Sequence, residues 1–261
     1  MLPVVELFTS IQGEGKYIGV PSHFLRVSGC NLRCVFKDSI CDTAYTSFNP
    51  EKPAYKDFDE LISAFDKLCT SHPNVHHLVI TGGEPLLYKE DLKKFLEVIA
   101  MKNMVITIET NGTQKPISGV DLYSVSPKLR SSVGTPGMVN NVKVTEDMCE
   151  RQEKYRINIE NLVDIITQSR DYQLKFVYSG EGCIEEIDSI IARIKEYTNK
   201  LSYFNRMKLT TLNNHIMLMP EGINNEQLAM RREEIANKCI DKGWAMTDRE
   251  HIIIWGDKRY V

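Results

Sequence analysis

The stretch His23-Phe24-Leu25-Arg26-Val27-Ser28-Gly29-Cys30-Asn31-Leu32-Arg33-Cys34, followed six residues later by Cys41-Asp42-Thr43, decides how the rest of the chain is read. Residues 23–27 form a short run with the apolar character of a β-strand, and it leads straight into three cysteines spaced C-x3-C-x6-C. A strand that ends in a loop of metal-binding residues is the arrangement expected of an α/β protein, whose ligands collect at the carboxyl ends of its strands.

Three thiolates on one loop can bind three irons of a cubane and leave the fourth iron without a protein ligand. The amino and carboxylate groups of S-adenosylmethionine (SAM) can occupy that position, beside a cluster able to take one electron and cleave the S–C5′ bond to a 5′-deoxyadenosyl radical. Zinc is the alternative, but it prefers paired C-x2-C units with a fourth Cys or His, and no second pair occurs here. Free thiols are the remaining reading. The other cysteines, at 69, 149, 183 and 239, stand singly and read as small buried apolar residues.

Working outward, apolar runs and helical spacings alternate. Helical patterns cover 58–68 and 92–101, then segments near 160–169, 184–197 and 225–241. Strand-like runs cover 77–80, 105–109, 122–125, 173–178 and 216–219, and Ile252-Ile253-Ile254-Trp255 closes the chain. This alternation predicts a parallel sheet with helical crossovers. The polar motifs Thr81-Gly82-Gly83-Glu84-Pro85, Glu109-Thr110-Asn111-Gly112, Ser126-Pro127-Lys128 and Pro220-Glu221-Gly222 each follow a strand and so should share one rim. Residues 129–158 are polar and weakly periodic and read as a peripheral insertion in a single domain covering 1–261.

The 261 residues carry a formal net charge of −3, which gives no electrostatic case for a nucleic acid partner. No apolar stretch approaches the roughly 20 residues that span a bilayer, so no membrane partner is expected. The start, Met1-Leu2-Pro3-Val4, lacks the basic and apolar regions of a signal peptide, so a cytoplasmic location with reduced cysteines is expected. His72, His76 and His77 have no accompanying carboxylate pattern and read as solvated or structural.

The motifs resemble the 7-carboxy-7-deazaguanine synthase family, radical SAM enzymes of 7-deazaguanine (queuosine-type) biosynthesis. The resemblance rests on Phe8-Thr9-Ser10-Ile11-Gln12-Gly13-Glu14-Gly15, Gly19-Val20-Pro21, the cysteine stretch, the four rim motifs, and His251 to Arg259. It implies an α/β fold, an incomplete TIM-like barrel of the radical SAM type, with the cysteine loop after the first strand. It also implies a [4Fe-4S] cluster on Cys30, Cys34 and Cys41, and a SAM site at Ile40, Cys41, Asp42, Gly83, Glu84, Ser126, Pro127, Lys128, Pro220 and Glu221. Thr43 would ligate a Mg²⁺ that clamps the substrate carboxylate, while Ile11, Gln12, Gly13, Arg26 and Thr81 would contact the substrate, 6-carboxy-5,6,7,8-tetrahydropterin. From chemistry alone, Arg26 could equally be a salt-bridge partner, and its planar fork also suits a carboxylate ligand. The implied reaction is a ring contraction with loss of ammonia, supplied with electrons by a flavodoxin or ferredoxin and run by a homodimer. Another radical SAM reaction, or a module whose cysteines only staple a loop, are the other readings.

One departure stands out. The family's spacing is C-x3-C-x-aromatic-C, and here Lys37-Asp38-Ser39-Ile40 intervene between Phe36 and Cys41. Doubling a loop's length costs only about 0.6 kcal/mol, so the four residues are expected to bulge outward and leave Cys41 as a ligand.

Overall fold

The computed structural model describes residues 1–37, 39–198, 201 and 209–261; Asp38, one of the four intervening residues, lies outside them. Among the described residues its main sheet has eight strands in the order β1 (Val4–Ile11), β2 (Pro21–Val27), β3 (His77–Gly82), β4 (Val105–Thr110), β5 (Leu122–Val125), β8 (Asp171–Tyr178), β9 (Ile216–Pro220) and β10 (Ala245–Met246), while β6 (Gly137–Val139) and β7 (Val142–Val144) form a separate antiparallel pair. β2 to β10 run parallel, and β1 pairs antiparallel to β2. The sheet is an incomplete barrel, since among the described residues β1 and β10 remain its two unpaired edges. The cysteine loop therefore follows the second strand in the chain, which is the first strand of the parallel set.

The helices occupy the outside: α2 (Phe58–Ser71), α3 (Lys89–Ile99), α5 (Ile159–Gln168), α6 (Cys183–Thr198) and α7 (Asn225–Lys242), with the short α1 (Ala44–Ser47) and α8 (Glu250–Trp255) on the rim side, and α4 (Glu146–Tyr155) within the 129–158 segment. Ile252-Ile253-Ile254-Trp255 thus belongs to a helix. Asp57, Asn158 and Asn224 cap α2, α5 and α7, each accepting the backbone N–H three residues on, which satisfies a donor the helix leaves orphaned. No helix among the described residues is long and apolar enough to cross a membrane.

Strand alternation divides the barrel in two. Leu25, Leu78, Ile80, Ile108, Val125, Leu174, Phe176 and Leu218 join the buried core shared with the helices. Their neighbours on the opposite face are mostly polar and form a row in register: Glu6 opposite Arg26, Arg26 opposite Thr81, Glu109 opposite Ser124, and Ser124 opposite Gln173. Period-2 alternation is what places one set outward and the other in the lumen.

The gap between the two sheet edges is spanned by the β1–β2 connection. Gly15 N donates to Thr247 Oγ1 at 2.7 Å, Glu250 N donates to Gly13 O at 2.9 Å, and Lys16 N donates to Gln173 Oε1 at 2.8 Å. A loop leaving one edge strand is thereby tied to the chain beyond the other.

Two histidines are built into the sheet as neutral rings. His77 bridges Ser22 Oγ and Thr107 Oγ1, both at 2.8 Å, and His23 meets Thr9 Oγ1 at 2.8 Å. Burial pushes each down to about 4 from 6.5, helped at His23 by the neighbouring His72 and His76. In the unfolded chain each ring takes a proton near pH 6.5, whereas in the fold it stays neutral to about pH 4. The unfolded state therefore binds more protons in that window, and stability falls as pH drops through it, by up to about 3 kcal/mol per ring. The midpoint of urea unfolding should fall between pH 6.5 and 4, and His23→Gln with His77→Gln should flatten that slope.

Candidate active site

A cavity of about 490 Å³ opens at the carboxyl ends of the parallel strands, within the range of small-molecule sites. It gathers almost every residue singled out from the sequence. Cys30, Cys34, Cys41, Ile40, Asp42, Thr43, Gly83, Ser126, Lys128, Pro220 and Glu221 line it, as do Ile11, Gln12, Gly13, Arg26 and Thr81. Glu84 and Pro127 do not. Glu84 is buried beneath the rim, where its carboxylate accepts from Leu86 N (3.0 Å), Thr110 Oγ1 (2.8 Å) and Asn111 N (2.7 Å). Burial raises its pKa even against those donors. It staples the loops after β3 and β4 together.

The glycines beside it are set by backbone contact. A Cβ on Gly82, whose φ is +133°, would fall 2.2 Å from Val27 O, and one on Gly83 would fall 2.1 Å from Gly29 O. Only glycine allows the β3 rim to lie this close to the cysteine loop, where Gly83 N donates to Val27 O and Glu84 N donates to Gly29 O.

The backbone on either side of the intervening residues pairs antiparallel. Val35 bridges Ile40, Phe36 N donates to Ser39 O at 2.7 Å, and Cys41 N donates to Cys34 O at 3.0 Å. Cys41 is thereby returned to the backbone of Cys34. Each sulfur has a polar neighbour: Leu32 N donates to Cys30 Sγ (3.4 Å), Gln152 Nε2 to Cys34 Sγ (3.4 Å), and the Thr43 hydroxyl meets Cys41 Sγ (3.3 Å). Burial pushes Cys30 and Cys41 up to about 11, with Asp42 adding to the effect at Cys41, and burial raises Cys34 as well. Burial thus disfavours the free thiolates, a cost that metal binding offsets. Among the described residues no three His, Cys, Asp or Glu side chains converge on a point where one metal ion would sit. An iron–sulfur cluster does not require such convergence, because each thiolate binds its own iron. One cavity, three thiols and N–H or O–H groups at every sulfur fit such a cluster.

The cavity's far side is a buried charge network. Glu14 pairs with Lys175 and with Arg249 (Nε to Oε1, 3.0 Å). Arg249 also donates to Asp42 Oδ2 (2.5 Å) and Gly222 O (2.7 Å). Lys175 lies 3.9 Å from Glu109, which accepts from Thr81 Oγ1 (2.8 Å) and Gln12 Nε2 (3.2 Å). Burial alone would raise the Glu14 carboxyl, but the Lys175 ammonium and the Arg249 guanidinium hold it well below the usual carboxylate range. The Asp42 side chain is 39% exposed, and Arg249 outweighs its partial desolvation to hold the carboxyl below the usual carboxylate range.

Beside the network, the buried Glu6 accepts from Arg26 Nε (2.6 Å), Tyr45 Oη (3.2 Å) and Arg259 Nε (2.6 Å). Arg259 also grips Glu51 with both terminal nitrogens at 3.0 Å and stacks on Tyr45. Both sequence readings of Arg26 thus apply: its Nε edge is salt-bridged, and its terminal nitrogens have no protein partner among the described residues.

Sequence reasoning did not single out Glu6, Glu14, Glu109, Lys175, Arg249 or Gln152. Glu14 and Glu109 were inside quoted motifs. Lys175 had a signal, as a cation between the apolar Leu174 and Phe176 within a strand. Of the scattered cysteines, Cys183 and Cys239 are buried as expected, whereas Cys69 and Cys149 are half-buried.

The radical SAM superfamily model matches residues 25–235. The chain is 38% identical to 7-carboxy-7-deazaguanine synthase of Halobacterium salinarum, across 98% of this chain and 91% of that one. It is 33% identical to the synthase of Rhodopirellula baltica, across 99% and 88%. The crystal structure of QueE from Escherichia coli superposes with a TM-score of 0.60 at 21% identity, covering 96% of this chain and 94% of that one.

Two outcomes test the site. Cys41→Ala should lower the iron content of anaerobically reconstituted protein while Cys183→Ala leaves it unchanged; equal iron in both would exclude Cys41 as a ligand. Lys175→Met leaves Glu14 and Glu109 short of a buried cation and should cost roughly 3 kcal/mol, read as a lower urea midpoint.

Proposed function

The chain belongs to the 7-carboxy-7-deazaguanine synthase family of the radical SAM superfamily, and from that membership we propose that it converts 6-carboxy-5,6,7,8-tetrahydropterin to 7-carboxy-7-deazaguanine by ring contraction with loss of ammonia. The observation that carries this reading is the meeting of three thiols with Arg26, Glu14 and Glu109 around one cavity. When bound, a [4Fe-4S] cluster and SAM supply the one-electron chemistry that removes a hydrogen atom from the substrate.

The chain's own residues bind, orient and enclose. Cys30, Cys34 and Cys41 would hold the cluster. Gly83, Ser126, Lys128 and the rim segments 40–42 and 220–221 would surround SAM, with Glu84 and Pro127 supporting that rim from outside the lining. Arg26 offers its terminal N–H groups to the substrate carboxylate, a charge-assisted and potentially bidentate contact. The pterin edge carries an amino group and a ring N–H, donors that match a carboxylate acceptor such as Glu109 or Glu14. Ile11, Gln12 and Gly13 complete that wall, and Thr81 fixes Glu109.

Thr43 supplies a hard oxygen compatible with Mg²⁺, which keeps most of its hydration and borrows substrate oxygens. Thr43 and Arg26 both line the cavity, so a substrate carboxylate could meet both.

Reconstituted protein incubated anaerobically with the carboxytetrahydropterin, SAM, Mg²⁺ and a reductant should yield 7-carboxy-7-deazaguanine by mass spectrometry. SAM cleavage without that product would overturn the substrate assignment. Thr43→Val should raise the Mg²⁺ concentration needed for half-maximal rate by on the order of tenfold while retaining iron; an unshifted Mg²⁺ titration would remove Thr43 from the metal's ligands.

A further inference from the structure

Residues 129–158, which the sequence presents as a peripheral insertion, reach the cysteine loop directly. Ser132 O accepts from Val35 N at 2.9 Å. From α4, Gln152 enters the same place and is buried, at 2% exposure, although its helix is otherwise largely polar and solvated. A neutral amide so buried must have its hydrogen-bonding capacity met.

The partners of Gln152 fix which way its amide points. Oε1 accepts from the backbone N–H of Arg33 at 2.8 Å, a donor that needs an acceptor. The Nε2 end is thereby turned towards Cys34 Sγ and Ser132 Oγ, each at 3.4 Å. Flipping the amide would set an N–H against the Arg33 N–H and leave the sulfur without this donor. One side chain thus reads the backbone before Cys34 and the sulfur of Cys34 together.

We infer that Gln152 is a positioning residue for the redox centre: it orients the Cys34 loop and, by donating to the Cys34 sulfur, favours the reduced cluster. The inference rests on the cluster assignment to Cys30, Cys34 and Cys41. The physical reason is charge. One electron from an external donor adds one negative charge to the cluster and its thiolates, and an N–H dipole aimed at a ligand sulfur stabilises that added charge. In a buried, low-dielectric site the dipole acts with little screening.

The test is an EPR-monitored redox titration of the reconstituted full chain, with iron counted in every sample and a Cys34→Ala variant as reference. Gln152→Met, similar in size but without a donor, should move the midpoint potential to a more negative value with iron content retained. Gln152→Glu keeps an acceptor for the Arg33 N–H, so the loop stays held, and it should shift the midpoint further negative because a carboxylate replaces the donor. Wild-type midpoints in both variants would overturn the inference. So would loss of iron from both variants, which would make Gln152 a structural brace alone. Unchanged iron in Cys34→Ala would instead sink the cluster assignment, so the two failures are distinguishable.

Discussion

Glu14, Lys175, Arg249 and Asp42 are four charged side chains from four separate parts of the chain, and the site depends on their meeting. Among the described residues the sheet does not close on itself, so the strand ladder there does not hold β1 against β10. The ion pairs do, with help from the backbone bonds of the β1–β2 connection. Removing charges from water is expensive, and it is tolerated only where partners are several and well placed. Here Arg249 has two carboxylates and a carbonyl, and Lys175 has two carboxylates. The arrangement joins the residue after Cys41 to the opposite wall of the cavity, so the cysteine loop and the substrate wall are positioned by one structure.

The cysteine loop shows how a longer spacing can keep its geometry. Val35 pairs with Ile40 and Phe36 with Ser39, which returns Cys41 to the backbone of Cys34. Gly82 and Gly83 bring the β3 rim against the other side of the loop. With Ser132 and Gln152 on the third side, the loop is held by three segments that are far apart in the chain.

Arg26 illustrates how one guanidinium can be both anchored and available. Glu6 takes its Nε edge, while Tyr45 and Arg259 occupy the rest of the Glu6 carboxylate. Arg259 is in turn balanced by Glu51. The planar fork is pre-organised by this contact, which lowers the entropy lost when its free edge binds an anion.

The parallel α/β class, most element positions and the three-cysteine loop are legible in the amino-acid sequence, because these are local patterns. Helical and strand periods repeat over a few residues, and C-x3-C-x6-C is a spacing within one loop. The sequence also places the rim motifs together, since residues that follow parallel strands must share an edge. The antiparallel β1, the two-residue β10 and the helical state of Ile252–Trp255 were not legible, being an edge strand paired to its neighbour, a segment too short to show a period, and an apolar run compatible with either state. Which charges are paired is set by long-range folding. Glu14 and Lys175 are separated by 161 positions and Asp42 and Arg249 by 207, and no local pattern encodes such a contact. The same holds for Gln152 and Cys34, 118 positions apart: a glutamine on a polar helix looks solvated until the fold buries it against a sulfur.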